Sequence, residues 1–411
     1  MTVMRGPFGI DATRGATLTP QRSVLAVLHT VTSGARLGDV VPLLESDPRI
    51  QVLYTHPPAA QFAAGTRDFL KRLGGVRLPW QLATQHRFSL ALAAHPGLLE
   101  QVHAPVVSLP HGAAGYSKLG TRWDMAGPQA TREAAGPDRA RLVYHGRVIA
   151  SAHLLPTRED ASLLLRSCPE ASPVTHVTGD PTYDRLLASV ASRQFYRDVI
   201  GTGDRTLVTV SSTWGPGSLL NVRPGILTDL MRQLPRHRYQ VAAILHPNTW
   251  YWHGIRQTTA WLASCLEAGL ILVPPEEGWR ALVAASDLLI GDYGSLIRYA
   301  AAVGVPVVIG SHPADEVVPE SPADELAAVA PHLNHDSPYL PQLESAIASW
   351  LPERRLSIQS RITDLPGRAA SEIRSRLYAL LDLTEPESRP RTEPVPPPRP
   401  VRLPRTFGSG W

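Results

Sequence analysis

From residue 23 onward the chain alternates short, continuous apolar runs rich in Val, Ile and Leu with longer stretches whose apolar residues recur at helical spacing. Ser23–Val31 predicts a buried strand, Arg36–Glu45 a helix and Ile50–Thr55 a second strand. Ala60–Leu73 is helical in pattern, and Phe88–Ala94 and Val106–Leu109 predict further strands. Few apolar runs fall between Tyr116 and Arg141, which predicts a loop. The rhythm resumes with strands over Arg141–Val148, His153–Pro156 and Val174–Thr178, a helix over Asp160–Arg166 and a long helix over Tyr183–Val199. In the second half, strands are predicted at Thr206–Ser211, Gln240–Leu245, Leu270–Val273, Leu288–Gly291 and Val305–Ile309. Helices are predicted at Gly225–Gln233, Gly254–Ala268, Gly278–Ala285, Ser295–Val303 and Ala369–Leu381. Strands that are apolar throughout and separated by helices mark a parallel sheet covered on both faces. Two such series in succession predict an α/β protein of two Rossmann-like, doubly wound domains facing a cleft.

Length supports this division, because 411 residues exceed what one ordinary core holds. The expected layout is a disordered start over 1–20, a first domain over 21–195, a second over 196–350, C-terminal helices over 351–384 and a disordered Pro/Arg-rich tail over 385–411. No apolar run reaches the ~18 residues that span a bilayer, and the N-terminal stretch lacks the apolar core of a secretory signal, so a cytoplasmic location is expected. Cys168 and Cys265 fit no metal spacing and read as small core residues. The formal charge is only +4, and the basic residues are almost all arginine, Lys71 and Lys118 being the exceptions. So diffuse a charge argues against nucleic acid and suits small anionic substrates or the inner membrane surface.

In open α/β sheets, ligands bind beyond the C-terminal strand ends. Five segments stand there: Pro110–Gly115, Gly179–Asp184, Ser211–Gly215, His246–Asn248 and Asp292–Ser295. Gly294 and Ser295 open a helix whose free N–H groups suit a phosphate, although Asp292 or Ser295 could equally be an ordinary cap. His111 and His246 each follow a buried strand beside a turn-forming Gly or Pro. Such a histidine can serve as a base or donate to a phosphate oxygen, or it can be structural. Thr213 and Trp214 could cap a helix and stack on a base or ribose. No P-loop, no G-x-G-x-x-G after the first strand, no G-x-S-x-G and no H-E-x-x-H is present. The expected chemistry needs neither metal nor cofactor.

These segments, in their order and spacing, resemble the CDP-glycerol glycerophosphotransferase family of teichoic-acid polymerases and primases. The family's W-H-G-T is similar to Pro110-His111-Gly112-Ala113, its G-x-P-R-x-D to Gly179–Asp184 and its P-T-W-R to Ser212-Thr213-Trp214-Gly215. Its R-L-H-P resembles Ile244–Pro247, and its S-D-x-L-I-T-D-Y-S-S resembles Ser286–Ser295. The resemblance implies the GT-B fold, a CDP-linked donor and a membrane-bound polymer or lipid-linked acceptor. It also implies catalysis by His111 and His246, with donor contacts from Gly112, Thr213, Trp214, Asp292, Gly294 and Ser295. Two motif arginines are replaced here by Thr182 and Gly215, a serine by Gly294 and an acid by Tyr299. Arg256, Arg280 and Arg298 are candidates to supply the missing charge. A GT-B glycosyltransferase, a UDP-GlcNAc 2-epimerase-like enzyme and a non-catalytic nucleotide-binding scaffold are the alternatives.

Overall fold

The computed structural model describes residues 17–58, 65–113, 117–119 and 139–402. In the first lobe, β1 (Arg22–Val27), β2 (Ile50–Thr55), β3 (Val76–Arg77), β4 (Leu90–Ala93), β5 (Val106–Ser108), β8 (Ala152–Leu155) and β9 (Thr175–Val177) form one sheet. Its order is β3-β2-β1-β4-β5-β8-β9, with parallel pairing throughout. A hairpin, β6 (Val143–Tyr144) and β7 (Arg147–Val148), stands apart from it. The second lobe holds β10 (Thr206–Ser212), β11 (Tyr239–Leu245), β12 (Ile271–Leu272), β13 (Leu288–Gly291) and β14 (Val307–Ile309), parallel in the order β12-β11-β10-β13-β14. Both sheets reverse winding direction beside their first strand, between β1 and β4 and between β10 and β13. Those two switch points are where such sheets open a crevice.

Central position explains the strand sequences. Val24 to Leu28 have no exposed surface because helices cover both faces, so both alternating sets must be apolar. The helix Ala369–Leu381 returns to the first lobe. Ile373, Leu377 and Leu381 form an i, i+4, i+8 stripe packed in the same core as Val24, Val52 and Leu154. Among the described residues, no helix is long and apolar enough to cross a membrane.

Several expected elements differ. Arg141–Val148 is not one strand but a helical turn, Arg139–Leu142, followed by the hairpin. His145 and Gly146 both take positive φ (47° and 76°), which is the backbone of a tight two-residue hairpin turn. The long helix expected over Tyr183–Val199 is two, Pro181–Val190 and Arg193–Val199. Gly254–Ala268 likewise divides into Ile255–Trp261 and Ala263–Glu267, and Pro247–His253 is an additional helix. Most of residues 1–20, most of the predicted loop after Tyr116 and residues 403–411 lie outside the described residues.

The tail is a correction. Residues 385–402 contain neither helix nor strand, yet they are bound to the protein. Tyr196 donates to the Val395 carbonyl (2.6 Å), the Val395 N–H donates to Ser189 (3.0 Å), and Val401 N–H reaches the Leu272 carbonyl on edge strand β12 (2.7 Å). Val395 is 3% exposed. Proline pre-sets an extended backbone with few N–H groups to satisfy, so a few anchors suffice to order such a segment.

Candidate active site

Between the lobes lies a cavity of about 440 Å³, lined by the residues that follow β1, β4 and β5 on one side and β10, β11, β12 and β13 on the other. His111, Gly112, Thr213, Trp214, His246, Gly294 and Ser295 all line it, so the structure brings together seven residues from four of the five segments. Thr182 of the remaining segment also borders the cavity, from the helix start at Asp180.

The two histidines are held in opposite tautomers. His111 Nδ1 lies 2.9 Å from the Ala94 carbonyl, which can only accept, so Nδ1 carries the proton and Nε2 keeps a lone pair. His246 Nδ1 accepts from the Asn248 N–H at 3.1 Å, capping the helix Pro247–His253, so its proton resides on Nε2. Both rings are held neutral. Burial lowers each pKa below the ordinary histidine value, and for His246 the nearby charge of Lys118 and then His111 add to the effect. One ring therefore offers an acceptor and the other a donor.

Opposite them the helix Ser295–Ala302 begins. Gly294 is its N-cap, its first turn holds no acid and, among the described residues, no side chain caps it, so the positive end of the helix lies where Gly294, Ser295 and Leu296 border the cavity. Gly112 has φ +90°, and a Cβ there would fall 2.6 Å from Ser295 Oγ, so glycine is what lets the His111 loop touch the helix start.

Asp292 belongs to the scaffold. It is 2% exposed and does not line the cavity. Its carboxylate accepts the N–H groups of Thr213 (2.8 Å), Leu219 (3.0 Å) and Gly294 (3.1 Å), tying the end of β10 to the helix start beyond β13. Engaged by three backbone donors, this carboxyl group holds the two loops in place from behind the cavity wall.

The two positions where the resembled motifs carry arginine have local explanations. Gly215 sits at φ +92°, a conformation in which an arginine would be strained. The Thr182 hydroxyl donates to Asp39 in the interior. Arg36, which carries no sequence signal, pairs with both Asp180 oxygens (2.8 and 3.0 Å) and donates to Tyr299 (2.9 Å), and the Tyr299 hydroxyl donates to Asp180 (2.8 Å). Arg280 lines the cavity but is paired with Asp39 (2.8 Å), which also pairs with Arg185 (2.9 Å). Arg298 lines the cavity and donates to Ser117. Arg256 is exposed on the helix Ile255–Trp261, away from the cavity.

Lys118 is the residue that sequence reasoning passed over. The described segment Ser117–Leu119 follows β5 in the chain but pairs with the second lobe, Val318 N–H to Ser117 carbonyl and Leu119 N–H to Glu316 carbonyl (both 3.1 Å). That places Lys118 Nζ 3.0 Å from Thr213 Oγ1 and 4.6 Å from the Tyr293 ring centroid. The only available signal was its rarity in an arginine-dominated chain.

No protein-family model matches this chain, and no curated protein matches it. Solved structures do. The wall teichoic acid polymerase TagF, as a histidine-to-asparagine variant soaked with CDPG for 30 minutes, superposes with a TM-score of 0.54 at 14% identity, covering 89% of this chain and 90% of that one. A structure of TagF itself gives 0.54 at 13% identity over 89% and 90%. Anabaena HepE in complex with UDP-glucose gives 0.47 at 14% over 88% and 99%. At such identity the likeness to TagF is one of fold, and it bears out the two-lobed GT-B architecture expected from the sequence.

Proposed function

We propose that this protein is a transferase that moves a glycerol-phosphate, or related polyol-phosphate, group from a CDP-linked donor to an acceptor hydroxyl. The acceptor would be a membrane-bound polymer or lipid-linked molecule reached from the cytoplasmic face. The observation that carries the reading is the opposed pair of neutral histidines in one cavity with an uncapped helix start. In the proposed step the acceptor oxygen attacks the distal donor phosphorus in line. Its proton passes to His111 Nε2 as the new O–P bond forms. The bond from that phosphorus to the bridging oxygen breaks, and CMP leaves. His246 Nε2–H and the N–H groups of the helix Ser295–Ala302 stabilise the charge that develops on the leaving oxygen and the transferred phosphoryl group. Thr213, Trp214 and Gly112 would complete the donor site. The likeness to TagF, whose structure was solved with CDPG, supports a cytidine-linked donor.

Two measurements test this. In a thermal-shift panel, CDP-glycerol and CDP raise the melting temperature and UDP-glucose and UDP do not; the reverse result selects the glycosyltransferase reading, and no binding at millimolar concentration removes both. With donor and acceptor present, His111→Ala lowers CMP release by ~10²–10⁴-fold, the usual worth of a general base, while leaving CDP affinity intact. Undiminished turnover in that variant refutes the mechanism.

A further inference from the structure

We propose that Lys118 is the cation that holds the donor's diphosphate, carried across the cleft by the first-lobe segment Ser117–Leu119. The inference rests on the reading of the cavity as a phosphorylated-donor site and supplies the charge that Thr182 and Gly215 do not. Lys118 lines the cavity beside Thr213, Gly294 and Ser295, and its side chain emerges between Trp214 and Tyr293, whose ring centroids lie 5.8 and 4.6 Å from Nζ. Among the described residues, one of its three N–H groups is committed, to the Thr213 hydroxyl. A hydroxyl and two ring faces are weak partners for an ammonium, whereas a phosphate oxygen at the helix start would be a strong one.

The surroundings also set the amine's charge. The charged and titratable groups facing it are Asp292, Tyr293 and Arg298 around the helix start, Glu316 on the loop that pairs with its own segment, and His246 on the opposite wall. Burial outweighs the two carboxylates and lowers the lysine pKa to about 8. Near pH 8 the empty site thus holds a partly deprotonated amine, and a bound dianion draws a proton onto it. Affinity is full below pH 8 and is lost as the pH rises through the lysine's pKa in the complex.

The test is isothermal titration of the full chain with CDP, inorganic pyrophosphate and cytidine, in paired buffers of different ionisation enthalpy. At pH 8.5 the wild type is expected to take up as much as about three-quarters of a proton per diphosphate bound. Lys118→Arg, which stays charged, binds both anions without that uptake, so the difference between the two proteins cancels the ligand's own titration. Lys118→Met weakens CDP and pyrophosphate by about tenfold or more and leaves cytidine unchanged. Equal anion affinity in Lys118→Met and wild type, or equal proton uptake in Lys118→Arg and wild type, overturns the proposal. If pyrophosphate shows the lysine signature but CDP binds no tighter than pyrophosphate, Lys118 stands and the nucleotide-donor reading falls. If the wild type binds neither anion, both fall.

Discussion

Acid should destabilise this protein through histidines that it buries uncharged, and His153 offers the sharpest test. His153 lies on β8, is 3% exposed, and its Nε2 has no hydrogen-bond partner among the described residues. Burial, with a smaller contribution from His176, lowers its pKa to about 4 from the ordinary 6.5. The unfolded chain therefore takes a proton as the pH falls through 6.5, while the folded chain resists until about pH 4. Stability is complete above pH 6.5 and drains away between those values. At pH 5 the gap from 6.5 is 1.5 units, and at 1.36 kcal/mol per unit the cost is about 2 kcal/mol. His29, 1% exposed and also lowered to about 4 chiefly by burial, adds a comparable amount. His153→Leu puts an apolar side chain of similar size beside Leu155 in the same cavity wall. It should hold or raise stability at pH 7, since a buried unsatisfied polar atom costs about 1–3 kcal/mol. It should also shrink the loss between pH 7 and pH 5 by about 2 kcal/mol. Urea unfolding at both pH values, followed by fluorescence and far-UV circular dichroism, measures this, and the His153 Hε1 resonance reports the pKa directly. Equal pH dependence in wild type and variant, or a His153 resonance that titrates near the unperturbed ~6.5, would refute the reasoning.

Asp180→Asn removes the only carboxylate that, among the described residues, pairs directly with Arg36 and should cost about 3–5 kcal/mol in chemical unfolding, because an uncompensated guanidinium stays buried; a loss below about 1 kcal/mol would mean that water or Tyr299 replaces the pair. Gly112→Ala strains a residue at φ +90° and drives a methyl into Ser295 Oγ, so CDP affinity should fall while cytidine affinity holds, as titration calorimetry would record; parallel losses for both would place the effect outside the phosphate site. Val395→Ala should destabilise by about 2 kcal/mol through loss of buried methyl groups, and an unchanged melting curve would mean that the tail does not help hold the fold.

Which parts of this structure the sequence discloses depends on how local their causes are. Both sheets are legible because a strand covered on two faces is apolar along nearly its whole length, as Leu288–Gly291 is and as Tyr239–Leu245 is apart from Gln240. The segments at their ends follow from that, and the strand-end rule places His111 and His246 in one cavity. Asp292 shows the limit of the rule. An aspartate before Gly-Ser at a helix start reads equally as ligand or scaffold, and only its three backbone donors decide the matter. Arg36 and Lys118 are illegible for a different reason. Arg36 meets Tyr299 across 263 positions of chain and Lys118 meets Thr213 across 95, and no periodicity encodes the approach of two lobes. For the tail, a Pro-rich composition signals extension, which is compatible with disorder and with a docked strap alike, and only the anchors at Val395 and Val401 distinguish the two.

Two of the positions that differ from the motifs the chain resembles lie close to one another in the structure. Where the pattern has an arginine after the motif proline and an acid in the helix beyond β13, this chain has Thr182 and Tyr299. Near them runs a largely buried network of Arg36 and Arg185 with Asp180 and Asp39, joined from the second lobe by Arg280. The Tyr299 hydroxyl both accepts from Arg36 and donates to Asp180, so it bridges the pair without adding a charge. Three guanidinium groups are thus committed to two carboxylates. Burying them gains little net stability, since desolvation offsets most of the attraction; what such a network supplies is register, fixing how one lobe meets the other. Elsewhere in the cavity wall, the basic side chains beside the helix start are Arg298 and Lys118. These basic side chains thus fall into two groups, one held in ion pairs with Asp39 and Asp180 and one, Arg298 and Lys118, on the cavity wall beside the helix start.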